Sequence, residues 1–118
     1  MTVGSLVQWV VNAVDPPALA RFWSSLLGGE VEVRPDGWAV LHGASGQPRI
    51  SFQPTSEPGG GRDRVHPDLL VGDLADASRA AVALGAVAVG EPVTDEHGAF
   101  QVLRDPEGNA FCVVKPAH

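Results

Sequence analysis

The chain has 118 residues, 44% of them hydrophobic, with a formal net charge of −6 and a pI near 5.0. That is one domain's worth of length with enough apolar content for a core, which excludes a disordered chain, and the acidic balance argues against nucleic acid or an anionic membrane as partner. Cys112 is the only cysteine, so no intramolecular disulfide can form, and no apolar run approaches the roughly 20 residues that span a bilayer.

The opening segment MTVGSLVQWVV has neither a basic region nor a small-residue cleavage site, and the expectation is a soluble cytoplasmic protein. Residues 5–13, SLVQWVVNA, are β-branched and aromatic and predict a strand. Asp15 then caps a helix with Pro16 at its first position, where the missing N–H costs nothing. Leu19, Phe22, Trp23 and Leu26 form its apolar stripe, which places Trp23 in the core, and Gly28-Gly29 ends it. Three short strands follow, EVEVR, GWAVLH and PRISFQ, separated by PDG and GASGQ turns.

The segment PTSEPGGGRD, residues 54–63, has no periodicity and reads as a linker. After it the order recurs. VHPDLLV predicts a strand and Asp73 a helix cap, with Leu74, Ala77, Ala81 and Leu84 as the buried stripe closed by Gly85. AVAVG, AFQVLR and NAFCVV predict the last three strands, and the turn DPEGN joins the final pair.

QWVVNAVD at 8–15 and HPDLLVGD at 66–73 share one spacing: Gln8 to His66 and Asp15 to Asp73 are both 58 positions apart. Phe52-Gln53 stands 59 positions before Phe111-Cys112. The chain is therefore expected to contain two copies of a βαβββ module, the first over 5–53 and the second over 64–115, within one domain spanning 1–118. The expected fold class is α+β, with the two modules forming an eight-stranded, cup-shaped sheet and the helices outside.

Strand side chains alternate between two faces. In the first strand Val7, Trp9, Val11 and Ala13 are assigned to the helix side, leaving Gln8, Val10 and Asn12 opposite. In the fifth, Val65, Pro67, Leu69 and Val71 face the helix, leaving His66, Asp68 and Leu70. Ile50 and Phe52 leave Ser51 and Gln53 opposite, and Phe111 and Val113 leave Ala110, Cys112 and Val114. In one curved sheet, Gln8, Gln53, His66 and Cys112 would converge on its inner face. Trp38, Val40 and His42 share one row, on which Trp38 offers a stacking surface for a flat ligand or packs at an interface.

Four features carry a resemblance to the vicinal oxygen chelate superfamily of glyoxalases, extradiol dioxygenases and fosfomycin- and bleomycin-resistance proteins. They are the first strand ending in Asp15-Pro16, the segment ALARFWSSLLG, His66 with Asp73 seven places on, and above all DPEGNAFCVV. Within that superfamily the chain is similar to the small glyoxalase-like domains. The resemblance implies paired modules forming a cup, homodimers as a frequent state, and metal ligands from the first and last strands of each module. The matching positions are Gln8 and Gln53, then His66 and Cys112. Where relatives use histidine, glutamate and sometimes glutamine, these four positions hold one histidine and no carboxylate. His66 and Cys112 can begin a zinc site; Zn, Ni, Mn or Fe, or no metal at all, are equally open.

Each candidate keeps a plain alternative. His66 is a ligand, an acid/base group, or a hydrogen-bonded strand residue. Cys112 is a ligand or a small buried hydrophobe. Asp68 orients a polar group of the ligand or is a solvated carboxylate, and Arg104 meets an acidic substrate or is a surface arginine. Two functions are expected. The first is sequestration of a small organic or aromatic ligand by Gln8, Trp38, Gln53, His66, Asp68 and Cys112, as in bleomycin-resistance proteins. The second is a metal-dependent glyoxalase-type lyase, isomerase or dioxygenase working near His66. A regulatory or dimerising module is a third class without a motif of its own, and no nucleotide-binding or zinc-hydrolase motif is present.

Overall fold

The computed structural model describes residues 2–57 and 63–117. The chain divides into two compact units, Gln8–Val65 and Met1–Val7 with His66–His118. Each unit contains one helix and one run of four strands, and the two repeat one topology.

In the first unit β1 (Ser5–Ala13, from Gln8 onward) is followed by α1 (Pro16–Leu27), β2 (Glu30–Val33), β3 (Ala39–His42) and β4 (Arg49–Pro54). The strand order is β2-β3-β4-β1, with β1 parallel to β4 and the other pairs antiparallel. The Asp15 carboxylate accepts a hydrogen bond from the Ala18 amide at 3.2 Å, so the sequence's cap is the structure's cap. Ala13, Ala20, Ala39, Leu41 and Phe52 form the buried cluster, with Val11, Leu19 and Ile50 packed against it. Alternate residues of three strands thus meet the helix, as period-two patterning requires.

The helix itself departs from expectation. Trp23 is 36% exposed and Phe22 and Leu26 more so, whereas Ala20 is wholly buried. Helix α1 lies on the sheet through its small residues, Pro16 and Ala20, which allow close approach. Phe22 and Trp23 meet edge to face, ring centroids 5.4 Å apart. Counting apolar side chains by size put the stripe on the neighbouring face.

In the second unit β5 (Val65–Leu70, from His66 onward) precedes α2 (Leu74–Ala83), β6 (Val87–Asp95), β7 (Gly98–Arg104) and β8 (Ala110–Pro116). The order is β5-β8-β7-β6, again with first and last strands parallel. Asp73 caps α2 by accepting from the Asp76 amide at 2.8 Å. Val71, Ala77, Leu103 and Val113 form the core, supported by Leu69, Leu74, Ala81, Ala86 and Phe111. Leu84 is not part of it: the helix ends at Ala83, and Leu84, 78% exposed, gives its place to Ala86. The chain is α+β, built from two βαβββ modules.

Of the segment read as a linker, Pro54 ends β4 and the Thr55 amide bonds the Ala13 carbonyl at 2.9 Å, while residues 58–62 lie outside the described residues. In the second unit β6 carries a bulge between Val89 and Val93, and the buried Gln101 amide donates to the Val89 and Gly90 carbonyls at 3.1 and 3.2 Å. A buried glutamine thereby fastens β7 to β6 where the ladder shifts register.

The DPEGN turn is explained by hydrogen bonding alone. The Asp105 carboxylate accepts from the amides of Glu107 and Asn109, both at 2.9 Å, and from the Asn109 side chain, while the Arg104 guanidinium donates to the Gly108 carbonyl at 2.8 Å. Gly108 has φ +88°, a conformation that glycine adopts without strain. The Asn109 backbone and side-chain bonds hold Asp105 below its ordinary pKa of 3.8. A depressed carboxylate stabilises the fold above its unfolded-state pKa, and that contribution disappears as pH falls through the folded-state value. Acid titration of the thermal midpoint should therefore fall more steeply below about pH 3.8 in the wild type than in Asp105→Asn. Parallel curves would contradict this account of the turn.

Candidate functional site

In the first unit, the face of the sheet away from α1 carries Gln8, Ser51, Gln53, Trp38 and His42. Gln8 Oε1 accepts from Ser51 Oγ at 2.5 Å and from Arg49 Nε at 3.0 Å, tying β1 to β4. Ser51 is buried and Arg49 half-buried. The oxygen that would ligate a cation is thus already engaged with two donors. Trp38 and Gln53 are half-buried, and the Trp38 amide bonds Asp36 at 3.1 Å. His42 Nε2 lies 2.7 Å from Glu32 Oε1 on the exposed edge, a contact that, with Arg34, holds Glu32 below its ordinary pKa.

The second unit gathers the other candidates. Strand register sets three rows across its helix-free face. Asp68, Cys112, Val102 and Val89 stand side by side, and Leu70, Val114, Phe100 and Val93 form the row beyond them. On the other flank are Ala110, Arg104 and Val87, near His66, which points to the same side as Asp68 two residues on. The polar side chains of this face are therefore those of His66, Asp68, Cys112 and Arg104, and Leu70, Val114, Phe100, Val102, Val89 and Val93 make up its apolar part.

At the polar end His66 Nε2 lies 3.4 Å from Asp68 Oδ1, with both side chains largely buried. A ligand atom from each of His66, Asp68 and Cys112 lies within 4.8 Å of the others, and no other group of three such residues occurs among the described residues. The cause is local: residues i and i+2 of a strand share a face, and parallel pairing sets Cys112 beside Asp68. Burial, and secondarily the Asp68 carboxylate, pushes the Cys112 thiol up to about 12. It is neutral at physiological pH and is no nucleophile by itself.

The donor set can be tested against a divalent ion. Imidazole, carboxylate and thiolate together suit zinc and its thiophilic neighbours, whereas magnesium and calcium take oxygen shells. His66, Asp68 and Cys112 fit such an ion in kind. Its charge would reverse the surroundings that keep the thiol protonated.

Sequence alternation placed His66, Asp68 and Cys112 on one face, and the structure brings these three together. It overlooked Val102, which AFQVLR already sets on one face with Phe100 and Arg104. It also gave no sign of the Ser51 and Arg49 bonds to Gln8.

Two modules of this topology, with strand-end polar residues on the helix-free faces, define the vicinal oxygen chelate class. Residues 8–114 match the glyoxalase-like domain family, and the chain belongs to it. No curated protein gives a significant match. Among solved structures, the chain is similar to one described as an NAD-dependent benzaldehyde dehydrogenase from Legionella pneumophila (TM-score 0.74, 14% identity, 92% of this chain and 97% of that one). It is also similar to methylmalonyl-CoA epimerase from Streptomyces coelicolor in complex with 2-nitronate-propionyl-CoA (TM-score 0.70, 18% identity, 99% and 100% covered). A third is a glyoxalase/bleomycin resistance protein/dioxygenase superfamily member from Vibrio splendidus (TM-score 0.62, 17% identity, 91% and 95% covered). At these identities the likeness is one of fold. No helix among the described residues is long and apolar enough to cross a membrane.

Proposed function

We propose that this protein binds a small organic molecule, with an apolar or aromatic body and a polar end, on the helix-free face of its second unit. The observation that carries this reading is the largely buried His66–Asp68 pair set at one end of a sheet face that also presents Leu70, Val102, Phe100 and Val114. Ligand sites commonly combine apolar walls with a few convergent polar groups. A thiol held protonated at neutral pH favours holding over covalent turnover. The role is sequestration, as in bleomycin-resistance relatives, in a cytoplasmic protein that works as a homodimer. Gln8, Trp38 and Gln53 are the first unit's candidate ligand contacts.

A panel of aromatic acids, phenols and glycopeptide antibiotics, screened in chelator by thermal unfolding, tests this. At least one compound should raise the midpoint in proportion to ln(1 + [L]/Kd). A panel without effect, on a protein that turns over hemithioacetals or catechols once a divalent ion is added, would overturn it in favour of the second reading. That reading is a metal-dependent lyase, isomerase or dioxygenase of this superfamily working near His66, and the observation favouring it is the His66, Asp68 and Cys112 cluster.

A further inference from the structure

We propose that Arg49 binds an oxyanion, the carboxylate or phosphate of a small ligand, on the helix-free face of the first unit. No sequence motif marks this residue; the way β1 and β4 hold its side chain does. Gln8 and Arg49 are register partners in the parallel ladder, and Ser51 stands two residues beyond Arg49 on the same face. Gln8 Oε1 accepts from Arg49 Nε at 3.0 Å and from Ser51 Oγ at 2.5 Å. The guanidinium is therefore anchored through its inner nitrogen, which orients the planar group and leaves its two terminal nitrogens to the ligand.

Charge balance carries the argument further. The chain has 14 acidic residues against 8 lysines and arginines, and Arg34 and Arg79 each meet a carboxylate, that of Glu32 and that of Asp76. Arg49 is half-buried and meets no carboxylate among the described residues. Its side-chain partner is the neutral amide oxygen of Gln8, which satisfies one of the five N–H donors of a guanidinium. A full charge drawn partly out of water is unfavourable until an opposite charge or further hydrogen bonds compensate it. The terminal nitrogens present a planar fork of parallel N–H groups, the geometry that pairs with both oxygens of a carboxylate or with two of a phosphate.

The same bonds fix the sign of the ligand. Gln8 stands where the resemblance implies a cation ligand, yet its oxygen is bonded to a guanidinium. A cation there would be repelled by the Arg49 charge, whereas an anion is attracted to it, more strongly in this half-buried position than in open water. Ser51 has a supporting role: its hydroxyl shares the Gln8 oxygen and holds the amide in the orientation that meets Arg49. This site goes beyond the ligand reading of the second unit and uses none of its residues.

The test is side-chain NMR of the full chain, labelled with 13C and 15N, with the Arg49 Nε resonance assigned by through-bond correlation to its backbone. Benzoate, phenyl phosphate and the neutral benzamide are titrated at constant ionic strength. Benzoate or phenyl phosphate should shift the Arg49 resonance saturably, the tighter of the two naming the group, while benzamide at equal concentration leaves it in place. Read at the Ser51 amide, Gln8→Glu should weaken oxyanion binding at least tenfold, because it sets a carboxylate of the chain against Arg49. Arg49→Lys, which keeps the charge and loses the fork, should weaken it as much. An Arg49 resonance unmoved by both oxyanions would overturn the proposal, as would an equal response to benzamide or undiminished binding by Gln8→Glu. Shifts confined to His66, Asp68 and Cys112 would also overturn it, and would leave the second unit's reading intact. If the variants lose their fold, the wild type decides against its own exposed Arg79: a shift no larger at Arg49 than at Arg79 means adventitious ion pairing and overturns the site.

Discussion

Phe52→Ala is expected to destabilise the protein by about 3–5 kcal/mol, enough to consume much of the roughly 5–15 kcal/mol that holds a domain of this size folded. Phe52 is fully buried and is the largest member of the first unit's core, where it meets Ala20 from the helix and Ala39 from β3. The alanines cannot swing in to fill the void, and the strand residues of the cluster, Leu41 among them, are held by their ladders, so the cavity term adds to the lost transfer energy. The thermal midpoint should fall on the order of 10–20 °C. Trp23→Ala, although it deletes a larger ring, should cost no more than about 1.5 kcal/mol, because that ring is partly solvated and its ring contact is with the exposed Phe22. Differential unfolding of the two variants checks the ranking. The reverse order would mean that α1 buries the face the sequence stripe marks.

His66→Ala and Asp68→Asn are expected to weaken binding of any organic ligand found in the chelator screen by about 10- to 100-fold each. Hydrogen bonds to charged groups contribute about 1.5–3 kcal/mol, and in this low-dielectric position little water is available to replace them. The two residues pair with each other, so their effects should not add: the double variant should lose little more than the worse single one. Calorimetric titration of the four proteins measures this. Additive losses would show two independent contacts, and unaltered affinity in both would remove the polar end of the site.

Much of the fold was legible because two devices repeat at a nearly fixed interval. Asp15 and Asp73 both cap helices through their carboxylates, and the strands before and after the helices alternate cleanly enough to place Phe52, Leu69 and Val113 against cores. The helices were less legible. Tryptophan and phenylalanine outweigh alanine in any reading by size, yet close packing of α1 on its sheet selects Ala20. Leu84 misled in the same way, since nothing local distinguishes the last helical residue from the first beyond it. The shared face of His66, Asp68 and Cys112 followed from alternation, but their proximity depended on the parallel pairing of β5 with β8, a contact between residues distant in sequence. The role of Gln8 depended likewise on its register with Arg49. The DPEGN signature pointed to the family through residues whose work in this chain is to close a turn.

The proposed ligand site lies on the helix-free face of the second unit. Backbone amide spectra recorded while the strongest compound of the panel is titrated in chelator test it most directly. Shifts should concentrate at His66, Asp68, Phe100, Val102 and Cys112, with α2 residues such as Ala77 and Ala81 unmoved. Shifts confined to α2 and the core beneath it would contradict it.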